Sequence, residues 1–355
     1  MKSIFVFNLI AALIITTYCI FEDDRDEQKI EQETTTSFEA VYNDDEDIIE
    51  KAIESIENTA AEVNKLAKSA TYTSNEIGLL YDEIIGILED LEEFLKEPDH
   101  ANKFLKAGGI DKIIMPHIDH GNTKLRGLVL IILKSLFLTL PTTKDAIPIT
   151  AIDKLLDIFE TDDNLAMKAH VLDILYEWLP ENPKLQVRVM KQKGLEPFYE
   201  QVSKLDTSVI STLLDLFNTI LNEHLKVRNA RKQNSKMDMD KLILYQRIGL
   251  IERMSTPPVC NGLLNIFEAT WSYSNDDNDV IAPVFKLIKN MKPFCVKVLQ
   301  GKNKAINLFE SLLKYVKDGG KEEYFDNLQV NTTDVKALLE DFVTELKQPL
   351  VKDEF

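Results

Sequence analysis

A chain of 355 residues with 59 acidic against 41 basic side chains carries a formal net charge of −18, and so negative a protein repels nucleic acid phosphates, which argues against nucleic acid as a partner. Its 12 glycines are about half of average usage, too few for the glycine-rich turns of Rossmann or P-loop folds. Among its three cysteines there is no C-x-x-C pair of the kind a thiol-exchange enzyme uses.

Lys2 is the only charge among the first 21 residues, and the apolar stretch Ile4 to Ile15 has the length of a secretory signal core. Residues 1–19 therefore read as a signal peptide, with small residues Thr17 and Cys19 before the cleavage point. An uncleaved anchor is the competing reading, because the stretch runs on through Ile20; a spanning helix wants about 20 apolar residues. The expectation is no stable membrane insertion after cleavage. Residues 20–50 follow as an acidic, unstructured segment: between Glu22 and Glu50 stand thirteen acidic and two basic residues. It serves either as a solubilising tail or as a flexible arm that competes for a basic groove on a partner.

Residues 51–75 read as an N-terminal helical extension, and residues 76–347 as a helical repeat domain. From Ile77 to Leu95 apolar residues recur at threes and fours in one stripe that must face a core. A unit then repeats: Gly109-Ile110-Asp-Lys-Ile-Ile, Ala151-Ile152-Asp-Lys-Leu-Leu and Gly194-Leu195-Glu-Pro-Phe fall in register, with Ile110, Ile152 and Leu195 spaced by 42 and 43 residues. That period suits stacked helix triplets of armadillo type, in which no unit buries its own stripe and function lives on the face the stack leaves open. A fourth unit begins near Gly249-Leu250, 55 residues after Leu195. The basic run Lys226 to Lys241 supplies the insertion and reads as a mobile loop or a further contact, with the loop preferred. Val335 to Leu346 forms a last striped helix that seals the array, closed by Pro349.

Chemistry is sparse. Once residues 1–19 are removed, Cys260 and Cys295 remain, either joined in a disulfide or buried as free thiols. His117, Asp119 and His120 suggest a metal, yet a polar inter-helix loop ending at Gly121 is the better reading, because a zinc site needs a fourth ligand or an ordered open position. Neither metal nor cofactor is expected, nor a catalytic group. Trp178 reads as a core residue at a helix end. Asn331-Thr-Thr333 is the single glycosylation pattern in the sequence. Residues 348–355 form a tail ending Lys352-Asp353-Glu354-Phe355, close to a lumenal retrieval signal but with Phe355 in place of leucine.

The stretch from Leu88 to Lys347 resembles the Sil-type nucleotide exchange factors, armadillo-like Hsp70-binding proteins of the endoplasmic reticulum. The likeness rests on Leu91-Glu-Glu-Phe-Leu95, Asp99-His-Ala101, Gly108-Gly109-Ile110, Asn182-Pro-Lys-Leu-Gln-Val187, Thr212-Leu-Leu-Asp-Leu216, Tyr245-Gln-Arg247 and Glu322-Glu-Tyr-Phe325. The second repeat departs most, with Leu140-Pro-Thr-Thr-Lys144 for an asparagine-proline-lysine phrase and Ala151 where glycine is usual.

The resemblance implies an all-α, armadillo-like array that grips the ATPase domain of the lumenal chaperone BiP, promoting ADP release and ATP rebinding during protein folding and translocation. It implies a monomeric lumenal protein with no enzymatic activity, returned by a retrieval receptor through its tail. In such triplets the last helix lines the binding face. The polar residues interrupting those helices are Lys124, Lys134 and Ser135, then Lys168, His170, Asp173 and Glu177, then Asp215, Asn218 and Asn222. A lumenal scaffold that binds secretory proteins without regard to nucleotide is the other function this pattern allows; an enzyme hidden in the groove would need convergent titratable groups that the sequence does not offer.

Overall fold

The computed structural model describes residues 45–68, 73–232, 239–273, 281–318, 325 and 330–349, and every regular element among them is helical. The expected signal peptide 1–19, the acidic stretch as far as residue 44 and the tail residues Lys352, Asp353, Glu354 and Phe355 lie outside the described residues. No described helix is long and apolar enough to cross a membrane.

The chain opens with α1 (Asp45–Ala67), α2 (Ser74–Phe94) and α3 (Pro98–Lys106), then a widened helical turn, Ile110–Ile114, that runs into Met115–His117. There follow α4 (Thr123–Thr139), α5 (Thr143–Ala146), α6 (Ala151–Thr161), α7 (Leu165–Trp178), α8 (Pro183–Gln192), α9 (Glu196–Glu200) and α10 (Thr207–Lys232). The rest is α11 (Met239–Ile248), α12 (Leu250–Met254), α13 (Pro257–Tyr273), α14 (Ile281–Leu299), α15 (Asn303–Lys317) and α16 (Thr332–Lys347).

Their packing follows from the stripes. Helices α2, α4, α7, α10, α14 and α16 each lie against the next, forming one layer. Helices α6, α13 and α15 cover the apolar sides of α7, α14 and α16, with α9 bridging α6 and α13. One continuous buried cluster results, running from Ile49 to Leu346; each Leu, Ile or Phe sealed in it contributes about 1.5 to 3 kcal/mol. Residues 45–50, which their charge assigns to an unstructured segment, are helical instead. The reason is Ile49, which starts a buried row with Ile53 and Ile56 on the face of α1 packed against α2.

The repeated register residues mark the turns between first and second helices. Gly108, Gly194 and Gly249 take φ values of +80°, +71° and +60°, the left-handed region glycine enters at no steric cost. Gly109 has a separate reason: an added Cβ would sit 2.3 Å from the Phe104 ring. At the second repeat the chain turns through extended Ile147, followed by Pro148. No left-handed residue is needed there, so Ala151 is tolerated as the first residue of α6.

The insertion before the fourth triplet is helical rather than looped through Lys232, because Leu225 and buried Val227 carry the apolar stripe of α10 onward. Residues 233–238 of the basic run lie outside the described residues. Helices α13 and α14 are joined by a disulfide between Cys260 and Cys295, whose Cα atoms are 5.4 Å apart.

A buried polar network ties the third triplet together. Gln186 on α8 donates to the Leu179 carbonyl at 2.9 Å and to Glu223 at 3.3 Å, while its oxygen meets His224 Nε2 at 2.9 Å. Glu223 also accepts the Glu181 amide at 3.0 Å. Burial holds the His224 imidazole down to about 4 and pushes the Glu223 carboxyl up.

Two outcomes follow. A histidine with a folded pKa of about 4 against an ordinary value of 6.5 contributes stability that is complete above pH 6.5 and is lost as pH falls toward 4. The unfolding free energy should drop by on the order of 3 kcal/mol across that window. His117, His120 and His170 are also lowered by burial and add in the same direction, whereas Glu223 opposes it. Urea titrations at several pH values should show a shallower decline in His224→Gln; an unchanged decline contradicts the assignment. Replacing both Cys260 and Cys295 by alanine should cost about 2 to 4 kcal/mol, as expected for freeing a loop of this size, with guanidinium unfolding as the check.

Candidate partner-binding face

The layer of third helices presents its outer side to solvent, and neighbouring helices are pinned there by charge pairs. Lys124 on α4 meets Glu89 on α2 at 3.2 Å, and Lys134 on α4 meets Asp173 on α7 at 2.6 Å. Glu177, near the end of α7, pairs with Lys144 of α5 at 3.1 Å. These pairs are half-exposed, so each contributes at most about 1 kcal/mol to stability. What they do is fix the positions of charges on the face.

His170 lies beside the Lys134–Asp173 pair, and burial holds its imidazole below the ordinary range, with Asp173 opposing and Lys134 assisting. On α10, burial raises the Asp215 carboxyl while Lys286 of α14 pulls it down. Ser135 is half-exposed and Asn222 exposed, on α4 and α10.

Two expected contact residues are not on the face. Lys168 is 1% exposed, and its ammonium donates to the Phe159 carbonyl at 2.6 Å and to the Gln201 side chain at 3.2 Å. It caps the C-terminal end of α6, where carbonyls have no helical partner and a cation suits the helix dipole. Asn218 is 5% exposed, donates to the Pro283 carbonyl at 3.1 Å and accepts from Asn290 at 3.2 Å, which clamps α10 to α14. Both lie in phase with buried residues: Lys168 stands four before Leu172, and Asn218 four after Leu214. That phase was the signal available in the sequence.

The face also carries apolar residues that a search for polar interruptions overlooks. Leu138 on α4 is 57% exposed and Tyr176 on α7 is 37% exposed, near the C-terminal ends of adjacent packed helices. A large aromatic side chain amid polar neighbours is the composition of a protein interface.

The polar groups of the histidine loop are drawn to their own protein neighbours. Lys154 of α6 binds Asp119 at 3.0 Å, the Asn122 amide donates to His120 Nδ1 at 3.0 Å, and His117 is buried. Asn331 caps α16, its side-chain oxygen accepting the Asp334 amide at 3.1 Å.

A stack of helix triplets with a paired-charge face and exposed apolar residues defines a helical-repeat protein. The family description "SIL1/FES1/HPBP1 C-terminal domain" matches residues 100–346, more than half of the sequence, and the chain belongs to that family. Among curated relatives, it is 23% identical over 270 residues to the nucleotide exchange factor SIL1 of Xenopus laevis, covering 71% of this chain and 56% of that protein. The nucleotide exchange factor SIL1 of Rattus norvegicus is 23% identical over 172 residues, covering 48% and 37%. The chain thus spans roughly half or less of the relatives it matches. A designed armadillo repeat protein overlaps 84% of the chain at 11% identity, with a TM-score of 0.43.

The two kinds of lysine separate by experiment. Lys168→Met should lower the unfolding free energy by about 2 to 3 kcal/mol, because it strands buried acceptors. Lys124→Ala should stay within about 0.5 kcal/mol, as surface substitutions do. Urea denaturation of both variants reads the difference; equal effects contradict the burial of Lys168.

Proposed function

We propose that the chain is a nucleotide exchange factor for BiP, the Hsp70-class chaperone of the endoplasmic reticulum lumen. The third-helix face grips the chaperone's ATPase domain and holds its nucleotide cleft open, so that ADP leaves and ATP enters. The observation that carries this reading is the family match over residues 100–346, since those residues contain α4, α7 and α10 and with them the face. The relatives' shared description as nucleotide exchange factors supports it.

The mechanism asks for binding and no chemistry on this chain, hence no cofactor and no enzymatic activity. To open the cleft, the face must prefer the open conformer, because a partner with equal affinity for both conformers shifts nothing. Bound ADP then weakens the complex by the same factor that the complex weakens ADP, and each 1.4 kcal/mol of preference is worth about tenfold. Lys124, Lys134, Ser135, His170, Asp173, Glu177, Asp215 and Asn222 supply polar contacts, and Leu138 and Tyr176 the apolar anchors.

A lumenal monomer is the form this reading takes. The apolar stretch Ile4 to Ile15 supports secretion, and Lys352 to Phe355 supports capture by a retrieval receptor. A lumenal setting also suits the Cys260–Cys295 disulfide. Glycosylation at Asn331 is compatible with its capping role, because the glycan attaches through nitrogen while the cap uses oxygen.

The test is release of a fluorescent ADP from purified BiP. Adding the chain should accelerate release, and Ser135→Arg combined with Tyr176→Ala should abolish most of that acceleration while circular dichroism stays unchanged. An unaltered release rate with the folded wild-type array refutes the proposal.

A further inference from the structure

Where the insertion sets the fourth triplet back, α10 runs on for two turns beside the α11–α12 corner and the middle of α14. These elements enclose a cleft of about 920 Å³, in the upper part of the roughly 300–1,000 Å³ range of ligand sites. Leu225 on α10, Ile251 on α12 and Phe294 on α14 give it apolar walls. Arg228 enters from α10 and Lys289 from α14.

The cations of this cleft differ from those that pair across α2, α4, α5 and α7. Lys124, Lys134 and Lys144 are each met by a carboxylate on another helix. Arg228 and Lys289 have no carboxylate at ion-pair distance among the described residues, and Glu252 is the one acidic residue in the described lining. Among residues 226–229 and 239–253, five are Lys or Arg and two are Asp or Glu, in a chain whose net charge is −18. A local excess of cations on so acidic a protein is a field that draws acidic ligands.

The backbone adds a second element. Pro293 sits inside α14 and lines the cleft; having no N–H, it leaves the Lys289 carbonyl without its helical hydrogen bond. The side chains of Asn229 and Gln246 in the same lining can hydrogen-bond a peptide backbone.

We propose that this cleft binds an acidic peptide segment of a partner protein, seating an apolar side chain between Leu225 and Phe294 and carboxylates on Arg228 and Lys289. The proposal stands on the cleft alone and does not require the exchange reading.

The probe is a fluorescein-labelled peptide, Asp-Glu-Asp-Leu-Phe-Asp-Glu-Asp, titrated with the full chain by fluorescence anisotropy. Saturable binding is expected, weakened at least about tenfold by Arg228→Glu or Lys289→Glu and weakened again at about 0.3 M salt. Changing Leu-Phe to Ser-Ser in the peptide should also weaken it, whereas Lys297→Glu, on an exposed part of α14 outside the cleft, should not. No saturable binding by about 100 μM, equal binding by the charge-reversed variants, or equal competition by a single-stranded oligonucleotide or anionic vesicles overturns the proposal. Circular dichroism on each variant establishes that it is folded. No chaperone is present in the assay, so its failure and that of the exchange reading are distinguishable.

Discussion

Everything in this molecule depends on the inability of one helix triplet to bury its own apolar stripe. Helices α2, α4, α7, α10, α14 and α16 solve this by lying each on the next, and the covering helices close the other side. One continuous buried cluster from Ile49 to Leu346 is the result. The same arrangement leaves one side of every third helix free, and that side repeats along the layer. An exposed face is therefore a by-product of how the array is held together, and it is the face to which the proposed function assigns the partner.

Polar groups divide into two kinds on this scaffold. Some bolt helices together: Lys168 on the end of α6, Asn218 between α10 and α14, and the Gln186, Glu223 and His224 network within the third triplet. Others sit outside and pair with one another across the layer, as Lys134 does with Asp173. The bolts are buried and matter for stability. The outer pairs add little to stability but set a fixed pattern of charge on the exposed face.

Much of this is legible in the residues. The 42 and 43 residue spacing of Ile110, Ile152 and Leu195 carries the fold, because each must fill the same place in its triplet. Gly108 and Gly194 mark the turns that only glycine makes without strain. The division of polar residues into bolts and contacts was less accessible, since it depends on helix phase: Lys168 and Asn218 are polar by type but buried by position. The extension of α10 was hidden by its own basic charge, which outweighs a short apolar stripe when composition alone is read. Pairing of Cys260 with Cys295 depends on the approach of α13 to α14, a distance no spacing rule supplies. Leu138 and Tyr176 escape notice because an apolar residue in a helix is assumed to face inward.

The central claim is that the third-helix face prefers an open chaperone lobe to a closed one. Isothermal titration of the folded chain into the BiP ATPase domain, first nucleotide-free and then saturated with ADP, measures that preference directly. The account predicts affinity at least about tenfold weaker with ADP, equivalent to about 1.4 kcal/mol of coupling. Equal affinity in the two states would contradict it.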